Sequence, residues 1–211
     1  MNMNLQKIGL ALVLGATLSA CAPVIVGGAV VGSLVAVDRR TSGAQLEDEG
    51  IELRAAARLR ETMGDRTHIN VTSYNRQVLL TGEVPSQQDR QTAEQIVARV
   101  ENVRAVVNEL AVLGNSTLAQ RSSDTVTTGR VKAALVDAQD LYASAFKVLT
   151  ERGTTYLMGR VTQREADRAT EVVRSTSGVQ RVVRVLEIIS EQELRELLPK
   201  PAENEKPAAK K

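Results

Sequence analysis

The order of apolar and polar positions in the first half of the chain returns in the second half. Residues 79–110 read LLTGEVPSQQDRQTAEQIVARVENVRAVVNEL, and residues 156–186 read YLMGRVTQREADRATEVVRSTSGVQRVVRVL. Gly82 and Val84 match Gly159 and Val161 at a spacing of 77 residues, and the apolar positions from Ala93 onward keep a spacing of 76. A register kept over a whole segment of this length indicates a tandem duplication, and therefore two copies of one folding unit.

Each copy predicts the order helix, strand, strand, helix, strand. The predicted bounds in the first copy are 51–63, 68–74, 77–81, 86–99 and 103–112. Those in the second copy are 125–138, 146–150, 154–158, 164–176 and 179–189. Asp124 is a fair N-cap for the first helix of the second copy. The pairs Asn75-Arg76 and Arg152-Gly153 stand where hairpin turns are expected between the alternating strands.

The second helix of the first copy shows which of its faces is buried. Ala93, Ile96, Val97 and Val100 recur at helical spacing and so fall on one face. A three-stranded sheet with both helices on one face is the economical way to bury such stripes. The predicted fold class is therefore α+β, with two tandem αββαβ domains, each a three-stranded mixed sheet packed against two helices.

The single cysteine of the chain, Cys21, follows a segment with the features of a secretory signal. Lys7 supplies a positive charge, residues 8–18 are uncharged and mostly apolar, and small residues precede Cys21. Leu-Ser-Ala-Cys is also the bacterial lipobox pattern, in which the thiol is acylated after cleavage. The alternative is a buried and inert cysteine. The lipobox predicts an anchor of several acyl chains such as palmitate, which holds far more firmly than one chain.

Composition excludes several classes of function. The net charge is +2, aromatic residues make up 2% and Trp is absent, which argues against a nucleic-acid-binding protein. His68 is the only histidine, at a strand start where a structural role is favoured, and neither a zinc motif nor a phosphate-binding glycine loop is found. Glu165, Asp167 and Glu171 alternate with arginines, as on a solvated, ion-paired helix face. We therefore predict no enzyme, no cofactor and no metal.

The two copies differ in charge. Residues 47–113 carry 8 basic and 11 acidic side chains, whereas residues 124–190 carry 10 basic and 8 acidic ones. The second copy is the better candidate to meet an anionic surface, and Arg130 and Lys132 point outward if Val131, Ala134, Leu135 and Ala138 face its core.

The predicted organisation is a signal peptide at 1–20, a lipidated N-terminus and tether at 21–46, domains at 47–115 and 124–191, and a disordered tail at 199–211.

Specific motifs resemble a known family. The repeated G-x-V, the alanine-containing helix after it and the ending GV…VV…L resemble the BON domain. The lipobox and the segments DRRTSGAQLEDEGIELR, INVTSYNRQVLLTGEVP and YLMGRVTQREAD are similar to the dual-BON outer-membrane lipoproteins. The first copy departs from the ending, with Asn102 where the second has Gly178, but Asn tolerates a left-handed backbone. We expect structural turns at Gly82, Asn102, Gly159 and Gly178.

The resemblance implies a role at the periplasmic face of the outer membrane. In that family, the first helix of the second domain contacts anionic phospholipid through basic residues at the positions of Arg130 and Lys132, and an aromatic residue stands at the position of Val126. Phosphatidylglycerol and cardiolipin are the expected lipids, and envelope integrity near division sites is the expected role. An alternative function is a periplasmic adaptor for outer-membrane assembly or cell-wall remodelling, with the first domain as its docking surface. An alternative role for Arg130 and Lys132 is only to solvate the face of a helix.

Overall fold

The computed structural model describes residues 38–197, which belong to one compact unit. The predictions for the signal peptide, for Cys21, for most of the tether and for the tail at 199–211 lie outside the described residues. The described part holds two copies of a helix–strand–strand–helix–strand unit, so the predicted α+β class is confirmed.

Helices and strands follow the predicted order. The first copy consists of α1 (Ser42–Met63), β1 (His68–Tyr74), β2 (Gln77–Val84), α2 (Gln87–Ala98), β3 (Ala105–Asn108) and β4 (Ala111–Val112). The second consists of α3 (Leu118–Asp137), β5 (Phe146–Glu151), β6 (Thr154–Val161), α4 (Gln163–Arg174) and β7 (Arg181–Ile188), and α5 (Glu191–Leu197) follows it. Short 3-10 turns at Gly64–Arg66 and Ala143–Ala145 lead into β1 and β5.

Both sheets are mixed, as predicted. In the first, β1 pairs antiparallel with β2, while β3 and β4 pair parallel with β2 one after the other. Glu109 and Leu110 interrupt what the sequence predicts as one continuous third strand. In the second sheet the order is β5-β6-β7, with β7 parallel to β6 along its whole length.

The first helix of each copy begins earlier than predicted. Helix α1 begins at Ser42 rather than at residue 51, within the segment assigned to the tether, and the Thr41 hydroxyl accepts a hydrogen bond from the amide of Ala44. Helix α3 begins at Leu118, where Thr117 and Gln120 form a reciprocal capping box. The prediction of Asp124 as N-cap is therefore wrong. A complete capping box provides hydrogen-bond acceptors for two backbone amides at the start of the helix, whereas Asp124 lies within the helix.

Asp124 instead binds the hairpin turn of its own copy. Its carboxylate lies within α3, is buried, and accepts hydrogen bonds from the amides of Arg152 at 2.7 Å and Gly153 at 2.9 Å. Both of these turn residues have positive φ, 50° and 72°, as a tight two-residue hairpin turn requires. The interaction fixes the first helix of the copy to its hairpin.

The first copy contains the same interaction. The carboxylate of Asp48 in α1 accepts hydrogen bonds from the amides of Asn75 and Arg76, both at 2.7 Å. Asn75 and Arg76 also have positive φ, 50° and 65°. We call this repeated arrangement, Asp48 with turn 75–76 and Asp124 with turn 152–153, the turn clasp.

The glycines of the repeated G-x-V lie inside strands β2 and β6, so the prediction of turns at Gly82 and Gly159 is wrong. They stand instead where two backbones approach closely. A Cβ at Gly82 would collide with the carbonyl oxygen of His68, and one at Gly159 with that of Ala145. Gly82 also has a φ of 110°. Only glycine allows the antiparallel partner strand to lie this near.

The two turns that end the second helices also match between the copies. Asn102 has a φ of 66° and Gly178 one of 97°. Asparagine thus occupies in the first copy the left-handed position that glycine occupies in the second.

Each sheet is buried on both faces. Val78 and Leu80 of β2 lie in the core beneath α1 and α2, and Leu157 of β6 lies in the core beneath α3 and α4. The neighbours Leu79 and Tyr156 point the other way, into a third cluster shared by both sheets. The other members of this cluster, which we call the seam, are Tyr74, Val107, Leu149, Met158, Val183 and Val185. The sheets therefore pack back to back, with the helices in the two outer layers.

The turn clasp yields a prediction about stability. Replacing Asp124 by Ala leaves two turn amides without their charged acceptor, so we expect the free energy of unfolding to fall by about 2–4 kcal/mol. Urea denaturation followed by circular dichroism measures this loss. Asp137→Ala, at the exposed C-terminal end of the same helix, is the matched control and should change little. Equal losses in both variants would contradict the role of the clasp.

Candidate functional site

Polar contacts between the two copies surround the seam. They join side chains that are far apart in the sequence, so they hold one domain against the other. The pairs, with nitrogen named first, are Asn70–Glu151 at 3.0 Å, Lys147–Glu52 at 2.8 Å, Arg152–Glu83 at 3.1 Å, Asn75–Glu187 at 2.8 Å, Arg104–Glu187 at 3.0 Å and Arg181–Glu109 at 3.1 Å.

One of these contacts belongs to a buried charged group. Glu83 is fully buried, and its carboxylate lies 2.8 Å from Nδ1 of His68, 3.1 Å from the guanidinium of Arg152 and 3.3 Å from the hydroxyl of Ser116. Burial raises the pKa of Glu83, but the hydrogen bonds from His68, Ser116 and Arg152 outweigh it, and the net pKa is lowered. Glu83 is therefore held ionised.

Glu151 completes this group from the second domain. Its ligand oxygen and those of His68 and Glu83 lie within 4.8 Å of one another, which is close enough for a metal ion. Burial, and then the nearby charges of Glu83 and Asp124, raise the pKa of Glu151. Arg152 already neutralises Glu83, so the group is accounted for as an ion-paired joint between the domains. The sequence does not indicate this group, because Glu83 and Glu151 lie 68 positions apart.

A second buried pair corrects the interpretation of Glu165. We expected Glu165 on a solvated helix face, but it is buried and accepts two hydrogen bonds from Arg39, at 2.6 and 2.8 Å. Burial raises the pKa of Glu165, yet the bonds from Arg39 and Thr162 outweigh it and the net pKa is lowered. Asp167 and Glu171 do lie on the exposed face, where Arg184 and Arg168 contact them. The partner of Glu165 lies 126 positions away, so neighbouring residues gave no sign of it.

The candidate lipid-contact residues lie on the exposed face of α3. Val126 is 52% exposed, and Arg130 and Lys132 are exposed with no ion pair recorded for either within the described range. Val131 and Leu135, on the opposite side, are buried in the second core as the sequence predicts.

The exposed face of α3 also carries apolar side chains along its length. Leu118 is 80% exposed and Val136 is 68% exposed, and Val126 lies between them along the length of the helix. At about 100° per residue, Leu118 and Val136 lie at the same angle round the helix and Val126 lies about 80° from them. Arg130 lies about 40° beyond Val126, and Lys132 lies about 40° beyond Leu118 on the other side, so the two cations flank this apolar face. We call Leu118, Val126 and Val136 the apolar ridge. The sequence analysis missed Leu118 because the helix was expected to begin seven residues later.

An apolar ridge with a cation on each flank suits a helix that lies in a membrane interface. The ridge supplies apolar area to bury, and the long basic side chains keep their charge at headgroup level. No helix within residues 38–197 is long and apolar enough to cross a bilayer. This arrangement is suited to contact with an anionic surface. The predictions of no catalytic residue and no cofactor stay predictions.

Fold and site together define a class: two tandem α+β domains joined back to back, one presenting an amphipathic surface helix. The BON domain matches residues 48–114 and 123–190. The chain therefore belongs to the BON domain family, in a two-domain form.

Three relatives are similar in sequence to this chain over more than half of their own length. Outer membrane lipoprotein DolP of Haemophilus influenzae is 35% identical over 184 residues, covering 85% of this chain and 95% of the relative. The 21 kDa hemolysin of Actinobacillus pleuropneumoniae is 33% identical over 155 residues, 72% of this chain and 80% of the relative. Osmotically-inducible protein Y of Escherichia coli is 33% identical over 120 residues, 55% of this chain and 59% of the relative.

The buried carboxylates predict how stability depends on pH. Burial raises the pKa of Asp48, but hydrogen bonds from Ser73, Arg76, Arg40 and Asn75 outweigh it, so its pKa is lowered, as are those of Glu83 and Glu165. Lowered folded-state values contribute stability that is present above the unfolded-state pKa of about 4. This stability is lost as the pH falls through the folded-state values.

We therefore expect the thermal midpoint to decline between about pH 5 and pH 3. Glu151, with its raised pKa, opposes the decline in part. Asp48→Asn should lower the midpoint at neutral pH and flatten its acid limb, as calorimetry across this range measures. A midpoint that stays constant down to pH 3 would contradict the assignment of these charges.

Proposed function

We propose that this chain is an outer-membrane lipoprotein facing the periplasm, anchored through acyl chains on Cys21, whose second BON domain binds anionic phospholipid through α3. Phosphatidylglycerol and cardiolipin are its lipids, and its role is to maintain outer-membrane integrity near division sites. The observation that carries the proposal is the apolar ridge of α3 with Arg130 and Lys132 on its flanks.

Charge supports α3 as the lipid-contacting element. Residues 124–190 carry two more basic than acidic side chains, whereas residues 47–113 carry three more acidic than basic ones. Each basic residue near an anionic leaflet contributes about 1 kcal/mol. Arg130 and Lys132 alone give weak binding, which suffices for a protein that an acyl anchor already holds at high local concentration.

The apolar ridge accounts for the absence of an aromatic anchor. Valine at position 126 lacks the interfacial preference of Trp and Tyr. Leu118 and Val136 supply exposed apolar area on the same exposed face as Val126, at the two ends of the helix. Contact is thereby distributed over the helix instead of being concentrated at one ring.

Relatives and the lipobox support the anchor and the location. The relative that is 35% identical over most of the chain is named an outer membrane lipoprotein. Leu-Ser-Ala-Cys at 18–21 supplies the matching acylation signal here. Mass spectrometry of the protein from membranes would detect the acyl mass on Cys21, and an unmodified thiol there would overturn the anchor.

The second candidate function is a periplasmic protein-binding adaptor for outer-membrane assembly or cell-wall remodelling. Leu46 and Leu53 on α1 are 69% and 74% exposed, with Gly50 and Ala57 beside them on the same face. Helix α1 belongs to the outer layer opposite the one that holds α3. A surface in this position stays open to the periplasm while α3 contacts lipid.

Charge reversal on α3 tests the lipid-binding proposal. The mature-length chain with Cys21→Ser, which removes the acyl anchor, is sedimented with vesicles of phosphatidylglycerol or of phosphatidylcholine. We expect binding to phosphatidylglycerol only, and a loss of roughly 30-fold or more in Arg130→Glu/Lys132→Glu, because about 1 kcal/mol is lost per cation.

The control variant makes the same change in net charge on a different helix. Arg164→Glu/Arg174→Glu reverses two exposed cations on α4 and should retain most of the binding. Equal losses in both double variants, or binding indifferent to lipid charge, would refute α3 as the binding element. In that case, crosslinking in cells to one dominant protein that survives both variants would support the adaptor.

A gain of binding is the complementary prediction. Val126→Trp places an interfacial ring on the apolar ridge and should strengthen binding to phosphatidylglycerol vesicles by about 1–2 kcal/mol, roughly 5–30-fold. Ile188→Trp is the control, because Ile188 lies in the same domain, on β7, and is 50% exposed, close to the 52% of Val126. Tryptophan fluorescence during vesicle titration reports both variants. A gain of the same size at position 188 would show that ring hydrophobicity alone, not the face of α3, decides binding.

A further inference from the structure

The first described residues, Asp38–Thr41, run across both domains before α1 begins. We call these four residues the strap. The segment before them, residues 22–37, contains no charged side chain, so Asp38, Arg39 and Arg40 are the first charges after Cys21. Each of the two arginines enters a different domain.

Arg39 is part of the second domain. Its guanidinium forms a two-pronged ion pair with Glu165 at 2.6 and 2.8 Å, and donates a further hydrogen bond to the carbonyl oxygen of Arg160 at 2.9 Å. Both side chains of the pair are 1% exposed. Glu165 also closes the capping box at Thr162 that begins α4. Arg39 therefore neutralises a buried charge on which the start of α4 depends.

Arg40 is part of the first domain. It pairs with Asp48 at 2.7 Å, and its guanidinium lies over the ring of Tyr74 at 4.4 Å from the ring centre. Asp48 is the carboxylate of the first turn clasp, and Tyr74 belongs to the seam. Asp38 accepts further hydrogen bonds from Arg40 and so keeps the strap folded on itself.

We infer that the strap is a two-domain clamp, which joins the domains at their outer edge and fixes the place where the anchored segment leaves the fold. A buried carboxylate that loses its cation costs far more than an exposed one. The second domain is thus complete only with Arg39, which precedes the first domain in the chain.

The exit of the anchored segment lies beside α3. Asp38 and Arg40 line one groove together with Lys132 of α3 and Lys147 of β5. With the strap docked, the segment that leads to Cys21 starts next to a flanking cation of the apolar ridge. Release of the strap would add its four residues to the chain between Cys21 and the folded domains.

Trypsin tests the clamp directly, because Arg39 and Arg40 are the first tryptic sites after Cys21. The full chain in neutral detergent is digested briefly, and new N-termini at Arg40 and Thr41 are counted by mass spectrometry. We expect slow cleavage in the wild type and at least a tenfold acceleration in Glu165→Gln, since cleavage follows the population of the opened strap. Glu191→Gln, which alters an exposed and loose contact of Arg164, should cleave at the wild-type rate.

A second variant guards against general unfolding. In Arg39→Gln/Glu165→Gln no buried charge is left unpaired, so the fold is retained while the ion pair is absent. Cleavage after Arg40 should again be at least ten times faster than in the wild type, with no faster cleavage inside β6 to β7. Cleavage after Arg40 at the wild-type rate in this variant, or rapid cleavage of the wild type itself, would overturn the clamp. The test contains no anionic lipid, so its outcome is independent of the lipid-binding proposal.

Discussion

The fold depends on the need of two small sheets to cover both of their faces. Helices cover one face of each sheet, and the other face is apolar as well, so each domain covers the second face of the other at the seam. Leu79 and Tyr156 show the constraint most directly, since each is buried in the seam while the next residue of its strand, Leu80 or Leu157, lies in a core beneath the helices. Ion pairs that join the domains, such as Arg152 with Glu83, add orientation to an attachment that is mainly apolar.

Much of the fold could be predicted from the sequence, because the duplication presents the same pattern of helices and strands twice. Strand β1 was predicted with its observed bounds, since alternation and a two-residue turn define a hairpin locally. Asp124 was misassigned because the partners that explain it, the turn amides at 152–153, are close only in the folded chain. The back-to-back packing was missed although each central strand has three consecutive apolar residues, Val78–Leu80 in β2 and Tyr156–Met158 in β6, as is typical of strands buried on both faces.

The candidate site divides along the same line. Arg130 and Lys132 could be placed outward from periodicity alone, because the buried residues of α3 recur at helical spacing. The exposure of Leu118 could not be predicted, because it depends on where α3 begins. The pairing of Glu165 with Arg39 could not be predicted either, because it joins distant segments of the chain. Hydrophobic periodicity in the sequence predicts which face of a helix a residue occupies, but it does not predict the partners of buried charged side chains.

The back-to-back packing has a consequence for how such a chain is made. The first domain emerges from the ribosome before the second, with its seam face, including Leu79 and Tyr74, open to water. Until residues up to Val185 have followed and folded, an apolar sheet surface remains available to other chains, which is the condition under which aggregation competes with folding. A chain truncated between the domains would leave this surface uncovered permanently.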